Sequence, residues 1–159
     1  MNKPTKTQCQ RESLKCSLIC ATLGLSMAVL LVLLMLGVGE IVKMLKSYLF
    51  LAPTAVAIVV LYATAVSLSR VAGSFICRIG VHGLGVWLIG IGLAECCLIL
   101  AVLISSSMNL VSELHNEPNF AVAFMDWIVK PAYWVLLFGT LPALVLGLLY
   151  AVGVRKALG

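Results

Sequence analysis

Residues 79–104, IGVHGLGVWLIGIGLAECCLILAVLI, decide the fold. A helix of about 20 residues, rising roughly 1.5 Å per residue, crosses a hydrocarbon core about 30 Å thick. This run is long enough, and past His82 its only formally charged side chain is Glu95. Twelve Leu, Ile and Val residues lie between Leu84 and Ile104. At about 0.3–0.6 kcal/mol each, they outweigh the roughly 2.5–3.5 kcal/mol that one mid-bilayer charge costs on insertion scales. The segment therefore reads as a membrane span in spite of its acid.

Outward from it, residues 16–38, 48–69 and 131–154 are equally apolar, so four spans are expected over the 159 residues. Composition agrees. Hydrophobic residues make up 62% and charged residues 11% of the chain, with a mean hydropathy of +1.13. An ordinary soluble domain is about half apolar and about a quarter charged, and could not hide this much apolar surface. No connection is long enough to hold a separate soluble domain, so residues 1–159 read as one membrane domain.

The polar segment 1–15 carries Lys3, Lys6, Arg11 and Lys15 ahead of the first span. That span is longer than a signal-peptide core and lacks an Ala-x-Ala cleavage pattern, which predicts an uncleaved anchor. In residues 40–47, Ile41, Val42, Met44 and Leu45 alternate with Glu40, Lys43 and Lys46 at helical spacing, predicting a short amphipathic turn in the membrane interface. Pro53 falls in the first two turns of the second span, where proline is tolerated. Arg70 and Arg78 bracket an expected short connection at 71–77. Residues 105–130 hold Glu113, His115, Glu117, Pro118 and Asp126, with 120–129 apolar enough for a second interfacial helix. The predicted fold is all-α: an integral membrane four-helix bundle with short interfacial helices in its two outer connections.

The net charge of +5 would suit an acidic partner in a soluble protein, but here the basic residues flank the spans, so topology rather than nucleic-acid binding explains them. The termini and the middle connection hold eight of them (Lys3, Lys6, Arg11, Lys15, Arg70, Arg78, Arg155, Lys156), against three (Lys43, Lys46, Lys130) in the other connections. The positive-inside rule then puts both termini in the cytoplasm. Tyr48, Trp127, Tyr133 and Trp134 gather near the predicted outer boundary, as interfacial aromatics do. Span count and length are those of small bacterial inner (plasma) membrane proteins.

Glu95 is the candidate intramembrane polar site. On a helix it shares a face with Leu88, Ile91, Gly92, Leu98 and Ile99, and Gly92 would admit a neighbouring helix beside the carboxyl. Glu95 is therefore expected to face protein, with Thr140, Tyr62 and Ser26 as candidate hydrogen-bond donors at similar depth. Gly90-x-x-x-Ala94 is a small-residue spacing suited to close helix packing, inside the bundle or with another protein.

The six cysteines place no pair in an outer connection, which disfavours thiol-oxidising chemistry, and Cys16-x-x-x-Cys20 lacks the histidines of a metal site. His82 and His115 fall at opposite boundaries and cannot share a metal or haem. A weak cation site at His115, Glu113 and Glu117 competes with the simpler reading of a solvated acidic loop. No phosphate loop, nucleophile with a base, or HExxH helix is present, so neither catalytic residues nor a cofactor are expected. The favoured functional reading is a non-enzymatic accessory or assembly subunit, embedded in lipid and packing against other membrane proteins or against itself. The alternative is a small oligomeric proton- or cation-linked transporter or channel using Glu95. A membrane enzyme acting on lipid or quinone lacks candidate catalytic groups.

Overall fold

The computed structural model describes residues 5–46, 48–80, 83–114 and 119–159, with side chains except at 32, 35–51 and 112. Among these residues the secondary structure is helical throughout: α1 (Lys6–Lys46), α2 (Tyr48–Ile79), α3 (Leu84–Glu113), α4 (Phe120–Phe124), a π-helical segment (Met125–Val129) and α5 (Lys130–Leu158). Four helices are long and apolar enough to cross a membrane, the last of them Phe120–Leu158 without interruption. The chain is a polytopic membrane protein organised as a four-helix bundle.

Local chemistry sets the helix ends. Thr5 caps α1 in a reciprocal arrangement with Gln8. The Gln8 N–H donates to Thr5 Oγ1 (3.4 Å) and the Thr5 N–H donates to Gln8 Oε1 (3.0 Å), satisfying two orphan donors of the first turn. The second turn of the bundle departs from expectation. Residues 71–77, expected as a connection, are helical, and the chain reverses between Ile79 and Leu84. Arginines at 70 and 78 do not end a helix by themselves. Gly80 does, with a φ of +92° that other residues rarely adopt. The third span thus begins at Leu84 rather than Ile79.

The two connections at the end of the bundle away from the termini also differ in form from separate short helices. Residues 40–46 are the last turns of α1, which runs 41 residues unbroken. The amphipathic pattern of their side chains, like the Tyr48 side chain, lies outside what the structure describes. Residues 120–129 are helical as expected, but they pass directly into α5 through the wide π turn.

The helices form a closed ring in which α1 neighbours α2 and α5, and α3 neighbours α2 and α5, leaving α1 and α3 on one diagonal. Small residues hold it together. The small buried residues are Cys9, Ser13 and Ser17 on α1; Ala65, Ser69, Ala72 and Gly73 on α2; and Ala143, Gly147 and Ala151 on α5. Lipid tails are as apolar as leucine, so burying large apolar groups between membrane helices brings little advantage, and close backbone contact takes its place. The α3–α5 seam shows this directly. A Cβ on Gly90 would collide with the Gly147 carbonyl oxygen, and one on Gly147 would lie 2.6 Å from the Ile91 Cα.

The larger side chains Ile76, Val86, Tyr150 and Val154 cluster with Ala151 at the end that carries the termini and the α2–α3 turn. Towards the other end packing thins. Met27, Val29, Leu30 and Leu31 of α1 are all exposed, and Leu136, Leu137, Phe138 and Leu141 of α5 likewise face outward, where lipid receives them.

Gly90→Ala and Gly147→Ala are each expected to destabilise the bundle by about 1–3 kcal/mol in detergent unfolding titrations, because the added methyl meets backbone rather than a yielding side chain. Gly92→Ala, whose Cβ would meet nothing within 4 Å, is expected to be neutral or stabilising by up to about 1 kcal/mol.

Candidate functional site

Glu95 sits near the middle of α3, half-buried, at the border between the flank that touches α5 and the face turned to lipid. On the α5 side, Ile91 lies against Gly147, and a Leu98 methyl lies 2.8 Å from where a Gly139 Cβ would be. On the other side Leu88 is 71% exposed, Ile99 is exposed, and Gly92 opens onto free space. Glu95 Oε1 is buried and has no hydrogen-bond partner among the described residues. An unpaired carboxyl oxygen removed from water carries an uncompensated desolvation penalty, and this is the feature of the bundle that its own packing does not explain.

The glycines divide differently from expectation. Gly90 and Gly92 are two residues apart, hence about 200° apart around the helix, so only one can meet α5. Gly90 does, and its spacing partner Ala94 lies half-buried one turn on. Gly92 does not admit a helix of this chain beside the carboxyl.

The candidate donors are occupied elsewhere. Ser26 Oγ donates to the Thr22 carbonyl (2.9 Å), and Thr140 Oγ1 donates to the Leu136 carbonyl (2.6 Å), each back-bonding within its own helix. Tyr62 leans towards α1, its hydroxyl 3.0 Å from Thr22 Oγ1. That bond joins α2 to α1, on the side of α2 away from α3. Equal depth in the bilayer does not bring these groups to Glu95: Ser26 lies on α1, opposite α3 in the ring, while Tyr62 and Thr140, on the neighbouring helices α2 and α5, direct their hydroxyls to α1 and to their own backbone.

The other polar contacts between helices gather towards the termini end. Ser13 Oγ donates to the Ser69 carbonyl (2.6 Å), which commits its hydrogen, so the Tyr150 hydroxyl donates to Ser13 Oγ (2.5 Å). This chain ties α5 to α1 and α1 to α2 among buried residues. Ser17 Oγ donates to the Ala65 carbonyl (3.2 Å) one turn further along, and Gln10 Nε2 to Ser74 Oγ (2.9 Å). The Arg155 guanidinium lies 5.5 Å from the centre of the Trp87 ring, joining α5 to α3. The signal for the α1 contacts is the four-residue spacing Cys9, Ser13, Ser17, which puts three small, mildly polar side chains in one stripe.

The cysteines form no disulfide, and Cys9 and Cys97 are buried, while Cys96 is exposed on the lipid-facing side of α3. Cys20 Sγ donates to the Leu146 carbonyl (3.5 Å), a bond between α1 and α5. Among the described residues no group of three His, Cys, Asp or Glu side chains is placed to hold a metal ion. His82, His115 and Glu117 lie outside the described residues. A hollow of about 260 Å³ beside the π segment is lined by Glu113, Val122, Ala123, Asp126 and Trp127, with Asp126 paired to Lys130. Glu95 does not line it.

Tyr150→Phe is expected to lower stability by about 0.5–1.5 kcal/mol in the same unfolding titration, the range for one buried hydrogen bond in a membrane bundle. Ser13→Ala should be worse, since it strands the Tyr150 hydroxyl and removes the link to Ser69. Compared with known proteins, the chain matches no family model, no curated protein and no solved structure.

Proposed function

We propose that this protein is a non-enzymatic accessory or assembly subunit of a bacterial inner (plasma) membrane, with both termini in the cytoplasm, working by lateral packing against other membrane helices. The observation that carries the reading is Glu95, whose Oε1 has no partner among the described residues of its own chain, at the edge of an outward face opened by Gly92. A polar group inside a membrane usually meets another polar group, and Ser26, Tyr62 and Thr140 are already engaged. A helix of another subunit bearing a hydroxyl, amide or basic group would supply the missing hydrogen bond, and Gly92 would let it come close.

The orientation follows the basic residues. Lys6, Arg11, Lys15, Arg70, Arg78, Arg155 and Lys156 belong to the half of the bundle that holds the termini and the α2–α3 turn, whereas Lys130 belongs to the other. The same unpaired carboxyl supports a second reading, in which an oligomer of this chain moves protons or cations through Glu95.

Photo-cross-linking from position 88 in native membranes tests the first reading. The expected result is a defined cross-linked species that falls at least several-fold in Glu95→Ala, at unchanged protein level. A monodisperse monomer with no cross-linked partner would sink it. Proton or cation flux in liposomes, lost in Glu95→Gln, would select the second reading instead.

A further inference from the structure

The α1–α2 seam holds a thiol pair with chemistry of its own. Its narrowest point is Gly73, where a Cβ would lie 2.8 Å from the Gln10 Cα and 2.9 Å from the Cys9 carbonyl oxygen, so the two backbones touch. The Gln10–Ser74 hydrogen bond (2.9 Å) pins the helices at the same level. Cys77 stands four residues beyond Gly73, one turn along the same face of α2. Its thiol lies near enough to that of Cys9 to interact with it across the seam. A disulfide requires Cα atoms within about 7 Å of each other, a condition that backbone contact of this kind favours. The other cysteines lack this arrangement. Cys16 and Cys20 share one helix, and Cys96 and Cys97 are adjacent in sequence.

We propose that Cys9 and Cys77 are a thiol-oxidation site, converted by a low-molecular-weight disulfide into a bridge that staples the start of α1 to the end of α2. Exposure sets the order of the two steps, because Cys77 is half-buried and Cys9 is fully buried. Cys77, as thiolate, attacks one sulfur of the small disulfide, forming a mixed disulfide and releasing one small thiolate. Cys9, having lost its proton, then attacks Cys77 Sγ, expels the second small thiolate and closes the bridge. The protein dithiol loses two hydrogens and two electrons, and the small disulfide becomes two thiols. In a reducing compartment both remain thiols, and the bridge forms when the small-thiol pool becomes oxidised. The site is independent of Glu95 and of any partner.

The test uses purified full-length protein in detergent, incubated with oxidised glutathione, then denatured, alkylated and mapped by mass spectrometry. The alkylatable thiols are expected to fall from six to four, with one Cys9–Cys77 bridged peptide, fully restored by dithiothreitol. Cys9→Ser should stop at a glutathione adduct on Cys77. Six alkylatable thiols in the wild type at glutathione poises that oxidise ordinary vicinal dithiols would overturn the proposal, as would a bridge between any other pair. Because the decisive count is made on the wild-type chain, a misfolded variant would not obscure it.

Discussion

The contact of Gly90 with Gly147, backbone against backbone, is the constraint on which the rest of the bundle depends. In lipid, helices are not driven together by the exclusion of water, so their association rests on dispersion and hydrogen bonds that act over short distances. Glycine at both positions brings α3 and α5 as close as main chains allow. That contact fixes the rotation of α3, and rotation decides everything else about that helix. With Gly90 turned inward, Val86, Cys97 and Ala101 are buried with it, Leu88, Gly92 and Cys96 face outward, and Glu95 is left on the border.

The α1–α2 pair solves the same problem with slightly larger residues. Cys9, Ser13 and Ser17 meet Ala65, Ser69 and Gly73 in antiparallel order, and the serine hydroxyls donate to carbonyls of the opposite helix. Each hydroxyl is satisfied without a second side chain having to find it, a robust arrangement in a medium without water. The Tyr150 hydroxyl extends the system to α5. Order is thus concentrated at the end with the termini, and large apolar side chains face lipid towards the opposite end.

Glu95 is the exception to this thrift. Every other buried side-chain polar atom among the described residues has a partner. A membrane helix tolerates one acid because its many aliphatic residues outweigh the insertion penalty, but tolerance does not explain retention of an unpaired oxygen next to an open glycine. The two functional readings differ only in what completes the site, a donor from another helix or a proton or cation in transit.

Hydropathy and span length were enough to establish from the amino-acid sequence that the chain is all-helical and crosses the membrane four times, since these depend on each segment alone. The singular position of Glu95 was legible for the same reason. Helix rotation and neighbour order were not, because they depend on which small-residue stripe meets which, and this chain offers more than one on α3. Gly92 as well as Gly90 was therefore read as a place of close approach, where within the bundle Gly90 alone packs on another helix, and Ser26, Tyr62 and Thr140 were gathered around Glu95 by depth although their hydroxyls bond elsewhere. The turn at Gly80 was placed too early because arginines mark a membrane boundary, whereas a helix ends where the backbone adopts a conformation that glycine permits. Segment properties are local and additive, and a sequence displays them. Facing and pairing are decided only when helices touch, by contacts a few ångströms long between residues far apart in the chain.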